Sequence, residues 1–405
     1  MIPSSKSWFL SFVLAVMVLV VTLSHLFDQT KRSPNAVSYN PHLQPRKAPS
    51  KGPNAPPVLA YWILGTRGEN ERVMRLLKAI YHPRNHYLLQ LDSSASHYER
   101  LELSSLTQSE VVFEQFGNVD VVGKSYAVNP MAASGLAAVL HAAALLLRLR
   151  DDWDWFVPLS TSDYPILPQD GRIFSMLSVY CLKMSFPWDS AMPLPSKRGI
   201  VDPSLYLKKK ASIYYAKETR EKPDAFELFG GSPWMVLTRG FLEHCVNGLD
   251  NLPRKLLMYF NNVVFPLGSY FQTVLCNTPH FQNTILVNND LRHTLHTHPS
   301  ILAPAIFATP FRQDDPRMQH IDEKLLNRGH GRFVPGKWCN PTGLLNQSRL
   351  GDTSDQDLWG DIDVVQPTNQ GIKLQEFFLR AVREKNMASS QCRSYVMHDA
   401  TEVKM

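Results

Sequence analysis

The sequence predicts an α/β body built on a mainly parallel, doubly wound sheet. Three observations predict it: short apolar runs bounded by turn residues, amphipathic helical repeats between them, and the alternation of the two along the chain. A parallel strand buried on both faces reads as a continuous apolar run, whereas a helix on such a sheet needs only one apolar stripe.

Val58–Leu64 (VLAYWIL) is the first such run, and Gly65-Thr66-Arg67-Gly68 turns the chain after it. Glu69–Tyr81 follows as an amphipathic helix, with Val73, Leu76, Leu77 and Ile80 spaced i, i+3, i+4, i+7. Tyr87–Leu91 is a second strand ending at Asp92, and Val119–Val122 is a third. Met131–Leu147 is apolar enough to suggest a membrane span, but it is alanine-rich, interrupted by His141 and followed directly by a strand, so it is expected as a buried core helix. Trp155–Leu159 is the fourth strand. From about 185 to 345 the pattern is irregular and proline-rich, and Lys373–Lys385 closes the body as a helix with Leu374, Phe377, Phe378, Ala381 and Val382 on one face. Open α/β sheets bind ligands beyond the carboxyl ends of their strands. That rule gathers Thr66-Arg67-Gly68, Asp92, Lys124 and the segment Ser160–Asp163 at one crevice.

Before this body the chain changes character. Residues 1–7 read as a cytosolic tail, and 8–27 (WFLSFVLAVMVLVVTLSHLF) as an uncleaved transmembrane signal anchor of 20 residues without formal charge; a span needs about 20. Residues 28–57 hold seven prolines and no apolar periodicity, as in an extended stem. The body runs from 58 to 385, and 386–405 is a tail. With seven residues before the anchor and the rest after it, the economical topology is single-pass with a lumenal body.

The net charge of the 405-residue chain is +6. Residues 28–57 contribute Lys31, Arg32, Arg46, Lys47 and Lys51 against Asp28 alone, and Lys6 adds another, so the body is nearly neutral. That excludes a large nucleic-acid surface. Cys181, Cys245, Cys276, Cys339 and Cys392 show neither CxxC nor zinc spacing; they permit one or two disulfides in an oxidising lumen with at least one thiol left over, or buried free thiols.

Most local motifs dissolve on inspection. Gly117–Ser125 resembles a phosphate loop, but five residues separate its glycines where four are needed, and the first glycine precedes the strand. His293, His296 and His298 have no acidic partner nearby and read as a surface loop. Asn346-Gln347-Ser348 is a glycosylation sequon, and Asp314-Asp315-Pro316 has the composition of a helix start. Asp152-Trp153-Asp154 has the look of a metal-binding acid pair, yet it precedes its strand, at the edge opposite the crevice. It is expected to close a helix-to-strand turn, which leaves Asp163, beyond the strand, as the more functional acid.

Taken together, YWILGTRG (61–68), YHPRNHYLLQLD (81–92), NVDVVGK (118–124), DWDWFVPLSTSDYP (152–165), FGGSPWMVLTR (229–239), DNLPRKLLMYFNN (250–262), YFQTVLCN (270–277), the segment 311–322 and WGDIDV (359–364) resemble the plant branch of glycosyltransferase family 14, the core-2/I-branching type, across about 57–385. The resemblance implies a GT-A-like fold, a type II Golgi membrane protein, a UDP-sugar donor, inversion at the anomeric carbon and no metal or other cofactor. Plant members include glucuronosyltransferases acting on arabinogalactan proteins, so the acceptor expected is their galactan glycan, with glucuronic acid the favoured sugar. By matching positions, Thr66, Arg67, Gly68 and Asp92 would bind the donor. Ser160, Thr161, Asp163, Gly231, Ser232 and Trp234 would line the donor and acceptor cleft.

An inverting transfer needs a carboxylate to take the acceptor's proton, and without a metal a cation must hold the departing diphosphate. The family's base is a glutamate in a Ser-Pro-Glu-like turn. Here that turn reads Phe265-Pro266-Leu267-Gly268-Ser269, and neither Leu267 nor Gly268 carries a carboxylate. The family's diphosphate lysine falls on Pro310, which leaves Arg312 as the nearest cation. A family cysteine stands as Gln356, which leaves Cys339 without its counterpart. The expectations are therefore a UDP-sugar transferase or, alternatively, a catalytically impaired paralogue that binds UDP-sugar or glycan or scaffolds an active homologue.

Overall fold

The computed structural model describes residues 49–386 apart from 53–54, 172, 174–197, 208, 220–222, 249, 283–290, 296–304 and 340–359. The expected tail, anchor and most of the stem, together with Asn346, Cys181, Cys392, His296 and His298, lie outside the described residues. Among those described, no helix is long and apolar enough to cross a membrane.

The central sheet has five strands in the order β3-β2-β1-β4-β8. β1 (Leu59–Gly65), β2 (His86–Leu91), β3 (Val119–Val121) and β4 (Trp155–Ser160) are mutually parallel, and β8 (Leu237–Thr238) runs antiparallel on the outer edge of β4. The register sets Tyr61 opposite Tyr87 on one side and Val157 on the other. Alternation along β1 divides the core in two. Leu59, Tyr61 and Ile63 face one cluster with α1 (Asn70–Ile80) and α3 (Val111–Phe116). Val58, Ala60 and Trp62 face another with α4 (Ala133–Leu149), α5 (Arg239–Asn247), α6 (Leu252–Phe260) and α7 (Tyr270–Asn277). Helices therefore cover both faces, as a doubly wound sheet requires.

The four expected strands and the α1 and α4 helices form within one or two residues of where the sequence places them. α4 starts at Ala133, two residues late, because Asn129 turns the chain first: its side-chain oxygen accepts from Met131 N at 3.1 Å and its carbonyl from Gly135 N at 3.1 Å. α4 has no cap of its own. Asp202, at the end of β6 (Arg198–Val201), supplies one by accepting Ser134 N at 2.9 Å. The last helix, α9 (Asn369–Asn386), begins four residues before the sequence places it, after Thr368, whose carbonyl accepts Ile372 N at 3.1 Å. Leu374 and Phe378 are buried as expected.

Two elements escaped the sequence reading: α2 (His97–Gln108) and α3, inserted between β2 and β3. α2 opens on a complete capping box, with Glu99 N donating to Ser96 Oγ and Ser96 N to Glu99 Oε2. The stretch expected to be irregular carries α5, α6, α7 and α8 (Pro316–Lys324), the ribbon of β6 and β7 (Tyr214–Thr219), and a second sheet ordered β5-β10-β9. In that sheet β5 (Tyr164–Pro165) continues the chain just beyond β4, and it pairs antiparallel with β10 (Phe307–Thr309), which pairs parallel with β9 (Arg292–Thr294).

Candidate functional site

The site is built where β1, β2 and β4 end. Gly65 closes β1 in a tight niche: a Cβ there would meet Val73 Cγ2 at 2.8 Å and Leu91 Cδ2 at 3.0 Å. Thr66, Arg67 and Gly68 then emerge exposed, and Gly68 takes a left-handed φ of 75° with open space around it. The turn is tied down mostly from outside. Arg67 N donates to Ser94 Oγ at 3.1 Å, and Gly68 N to Glu99 Oε1 at 2.6 Å. Ser94 in turn donates its amide (2.9 Å) and its hydroxyl to Asp92 Oδ1. Asp92 thus reaches the Arg67 backbone through one serine, and the donor-side residues named from the sequence form one connected unit.

The turn also anchors a charged pair that the sequence reading missed. Thr66 N and Oγ1 donate to Glu69 Oε2 at 2.7 and 2.8 Å, and Arg72 Nη1 reaches Glu69 Oε1 at 2.5 Å. Arg72 Nη2 donates to the carbonyls of Thr161 (2.9 Å) and Phe311 (3.0 Å). Arg72 therefore staples the β1 turn to the loop after β4 and to the segment after β10. Burial alone would raise the Glu69 carboxyl, but hydrogen bonds from Thr66 and Thr161 and the Arg72 charge hold it below its ordinary value.

Beyond β4, Ser160 N and Oγ donate to Asp163 Oδ2 at 2.7 and 3.0 Å. The carboxylate expected to face the cleft is instead turned inward and fully buried. Its partner is Arg292 on β9, whose Nε lies 3.1 Å from Asp163 Oδ1 and whose Nη2 donates to the Pro158 carbonyl at 2.6 Å. Thr161 is buried as well; Ser160 remains half-buried at the strand end. The Arg292 guanidinium also lies over the Trp234 ring, 4.4 Å from its centroid. The Asp163, Arg292 and Trp234 stack thereby joins the loop after β4 to the 231–234 segment. No local signal in the sequence marks Arg292.

Gly231 N donates to the Gly268 carbonyl at 2.6 Å, and Ser232 accepts Trp234 N at 3.2 Å and, through its carbonyl, Gln272 Nε2 at 3.2 Å. The Pro266–Gly268 turn sits beside the start of α4, with Phe265 N donating to the Met131 carbonyl at 2.9 Å. Leu267 is packed into the second core cluster. A Cβ at Gly268 would meet the Phe265 ring at 2.7 Å and the Gly231 carbonyl oxygen at 3.1 Å. The residues at the expected base position thus face the protein interior. Replacing Gly268 by glutamate is expected to destabilise the protein by about 1–3 kcal/mol through overpacking and to leave transfer no higher than wild type, as urea unfolding and a radiolabelled-sugar assay would show.

Arg312 is exposed two residues beyond Pro310, and Phe311 N donates to the Ser162 carbonyl at 2.9 Å, which holds this segment against the loop after β4. Asp315 caps α8 by accepting Arg317 N at 3.0 Å. Arg317 first, then Arg312, keep its carboxyl below the usual range. Asp152 and Asp154 are committed at the opposite edge, as expected. Asp152 pairs with His86 Nε2 at 2.6 Å, and Asp154 accepts Val58 N at 2.8 Å and Lys51 Nζ at 3.1 Å. Among the described residues no group of three or more His, Cys, Asp or Glu is arranged to hold a metal.

Behind the site, Asp322 of α8 accepts Tyr164 Oη (2.6 Å), Arg75 Nη2 (2.8 Å) and Arg328 Nε (2.6 Å). A cavity of about 210 Å³ beside it is lined by Arg75, Asp314, Asp315, Gln319 and Arg328. Burial pushes the Tyr164 hydroxyl up to about 12, whereas Asp322 is held low despite its own burial by bonds from Arg328, Tyr164 and Arg75. Glu69 and Asp322 both titrate lower folded than unfolded, so each adds stability above its unfolded pKa and loses it as pH falls through the folded value. The urea midpoint is expected to drop as pH falls below about 4.5, and to drop less steeply in Glu69→Gln and Asp322→Asn.

Cys276 is disulfide-bonded, while Cys245 and Cys339 are free; for Cys339 that matches the missing counterpart at position 356.

The family model of the Core-2/I-Branching enzyme matches residues 59–316. The beta-glucuronosyltransferase GlcAT14A of Arabidopsis thaliana is 35% identical over 415 aligned residues, covering 96% of this chain and 87% of the relative. GlcAT14C of the same plant is 39% identical, covering 83% and 85%. Xylosyltransferase 1 of Homo sapiens is 32% identical over 246 residues, 59% of this chain and 24% of that protein.

Proposed function

The chain belongs to the core-2/I-branching enzyme family of glycosyltransferases, and from that premise we propose that it carries glucuronic acid from a UDP-sugar to galactan chains of arabinogalactan proteins, inverting the anomeric centre without a metal. We further propose a single-pass type II protein of the Golgi membrane, anchored by residues 8–27, with its body in the lumen. The disulfide at Cys276 supports an oxidising compartment.

The observation that carries the reading is the gathering of Thr66–Gly68, Asp92 and the Ser160–Asp163 loop at the carboxyl edge of three parallel strands, where such a sheet receives a nucleotide. In the proposed reaction an acceptor hydroxyl oxygen attacks the anomeric carbon, the bond from that carbon to the diphosphate oxygen breaks, UDP leaves with the electron pair, and the hydroxyl proton passes to water. The exposed guanidiniums of Arg67 and Arg312 would stabilise the charge that develops on the diphosphate. Asp163 does not touch substrate in this scheme; it positions Arg292 and Trp234.

One observation favours a second reading, a member that binds donor and glycan with impaired transfer: Leu267 and Gly268 are buried and carry no carboxylate. Loss of a general base costs about 10²–10⁴-fold in rate. Full-length protein from a secretory host, offered UDP-glucuronic acid, UDP-N-acetylglucosamine and UDP-xylose with galacto-oligosaccharides, separates the two. Chelator-resistant transfer from UDP-glucuronic acid supports the first reading. UDP binding without transfer supports the second. Transfer abolished by chelator would overturn the metal-free scheme.

A further inference from the structure

The β6–β7 ribbon presents an unusual surface. Tyr206, Tyr214 and Tyr215 are 76%, 66% and 57% exposed, and among the described residues their rings touch no other ring. Lys209, Lys210 and Lys217 are exposed beside them with no carboxylate partner among the described residues. From Arg198 to Thr219 the sequence holds one arginine and four lysines against two acids, Glu218 on β7 and Asp202, which is buried under the amides of Ser134 and Ser204. The ribbon is therefore both aromatic and net positive, on a body that is otherwise nearly neutral.

Its position gives it a use. α4 begins at the carboxyl edge of the sheet, since it runs back from β3 to enter β4. The ribbon is fastened to that end by the Asp202 cap and by Asn129 Nδ2 donating to the Ala211 carbonyl at 3.3 Å. At its other side Ile200 N donates to the Asn262 carbonyl at 2.9 Å, three residues before the Phe265–Ser269 turn. The ribbon thus stands on the rim of the proposed site, flanking the turn where an acceptor would meet the donor.

We propose that this ribbon is a docking platform for an acidic glycan, a chain of neutral hexoses carrying uronic-acid carboxylates. Tyrosine rings offer flat apolar faces for the C–H faces of pyranoses with a hydroxyl at the edge, and lysine ammonium groups pair with carboxylates. An anionic membrane would satisfy the charge alone. Successive strand residues point to opposite faces, so Tyr214 and Tyr215 cannot both lie on one flat bilayer, whereas a polymer chain can run over both sides of a ribbon. The proposal rests on the reading of this chain as a glycan-directed transferase for its placement, and it adds the chemical class of glycan held beyond the reacting sugar.

Full-length protein is titrated with three probes: a glucuronic-acid-bearing galacto-oligosaccharide, the same oligosaccharide with its carboxyls reduced, and phosphatidylcholine vesicles containing phosphatidylserine. The acidic oligosaccharide is expected to bind about tenfold tighter than its reduced form, and raised salt should narrow that gap. Lys209→Gln/Lys210→Gln/Lys217→Gln should close it, and Tyr214→Ser/Tyr215→Ser should weaken both oligosaccharides, with UDP affinity unchanged in each variant. Glycan binding that ignores both variants, or binding to vesicles alone, would overturn the platform. If UDP fails to bind while ribbon-dependent glycan binding persists, the transferase reading falls and the platform stands. If UDP binds and glycan binding ignores the ribbon, only the platform falls.

Discussion

Asp163→Asn is expected to cost about 3–5 kcal/mol of stability and to weaken UDP binding, because removing one member of a buried ion pair leaves the other charge uncompensated. Both side chains are buried, at 0% exposure for Asp163 and 2% for Arg292. The asparagine keeps the volume and can still accept from Ser160, so the loss reports the charge and not a cavity. The displaced Arg292 would no longer lie flat over Trp234, and the 231–234 segment would lose its link to the loop after β4. Urea unfolding and isothermal titration with UDP measure the two effects. In a double-mutant cycle with Arg292→Met, the pair should lose much less than the sum of the single losses. A single variant within about 0.5 kcal/mol of wild type would show that the pair is not holding the loop.

Asp322→Asn is the second large effect, again expected at about 3–5 kcal/mol. Here one carboxylate answers two guanidiniums and a phenol: Arg328, nearly fully buried, the partly exposed Arg75, and Tyr164. These partners sit on α1, on β5 and just past α8, so the carboxylate joins the central sheet's first helix to the small sheet and the chain beyond it. The expected signature separates it from Asp163→Asn: stability falls, but UDP affinity in the protein that remains folded is unchanged, because the bonds of this cluster run to α1, β5 and the chain past α8 and not to Thr66–Gly68, Asp92 or Ser160–Asp163. A parallel loss of UDP affinity would mean that α8 and the Arg312 segment move together.

The sheet was legible in the sequence because parallel strands buried on both faces leave unbroken apolar runs, and VLAYWIL and WFVPL are such runs. α2 was passed over although Ser96 and Glu99 spell a capping box, because its exposed faces give no apolar stripe long enough to compete with the signals around it. At the site, residues that follow strands were legible from topology alone: Thr66 to Gly68, Asp92 and Ser160 stand where the rule puts them. The direction of a side chain was not. Asp163 follows its strand as a ligand-facing acid would, yet a basic residue 129 positions away turns it inward. Long-range pairing of this kind leaves no trace in a single sequence. Glu69 and Arg72, three apart at a helix start, could have been read as a pair, but the carbonyls of Thr161 and Phe311 that fix the arginine could not.

The packing of Leu267 and Gly268 makes that turn a poor place to add charge. Leu267 lies among the residues of α4 and α7, and the Phe265 ring closes over Gly268. A carboxylate introduced at either position would enter apolar surroundings before it reached any substrate. Engineering an acid into this turn therefore requires room to be opened at Phe265 and Leu267 first.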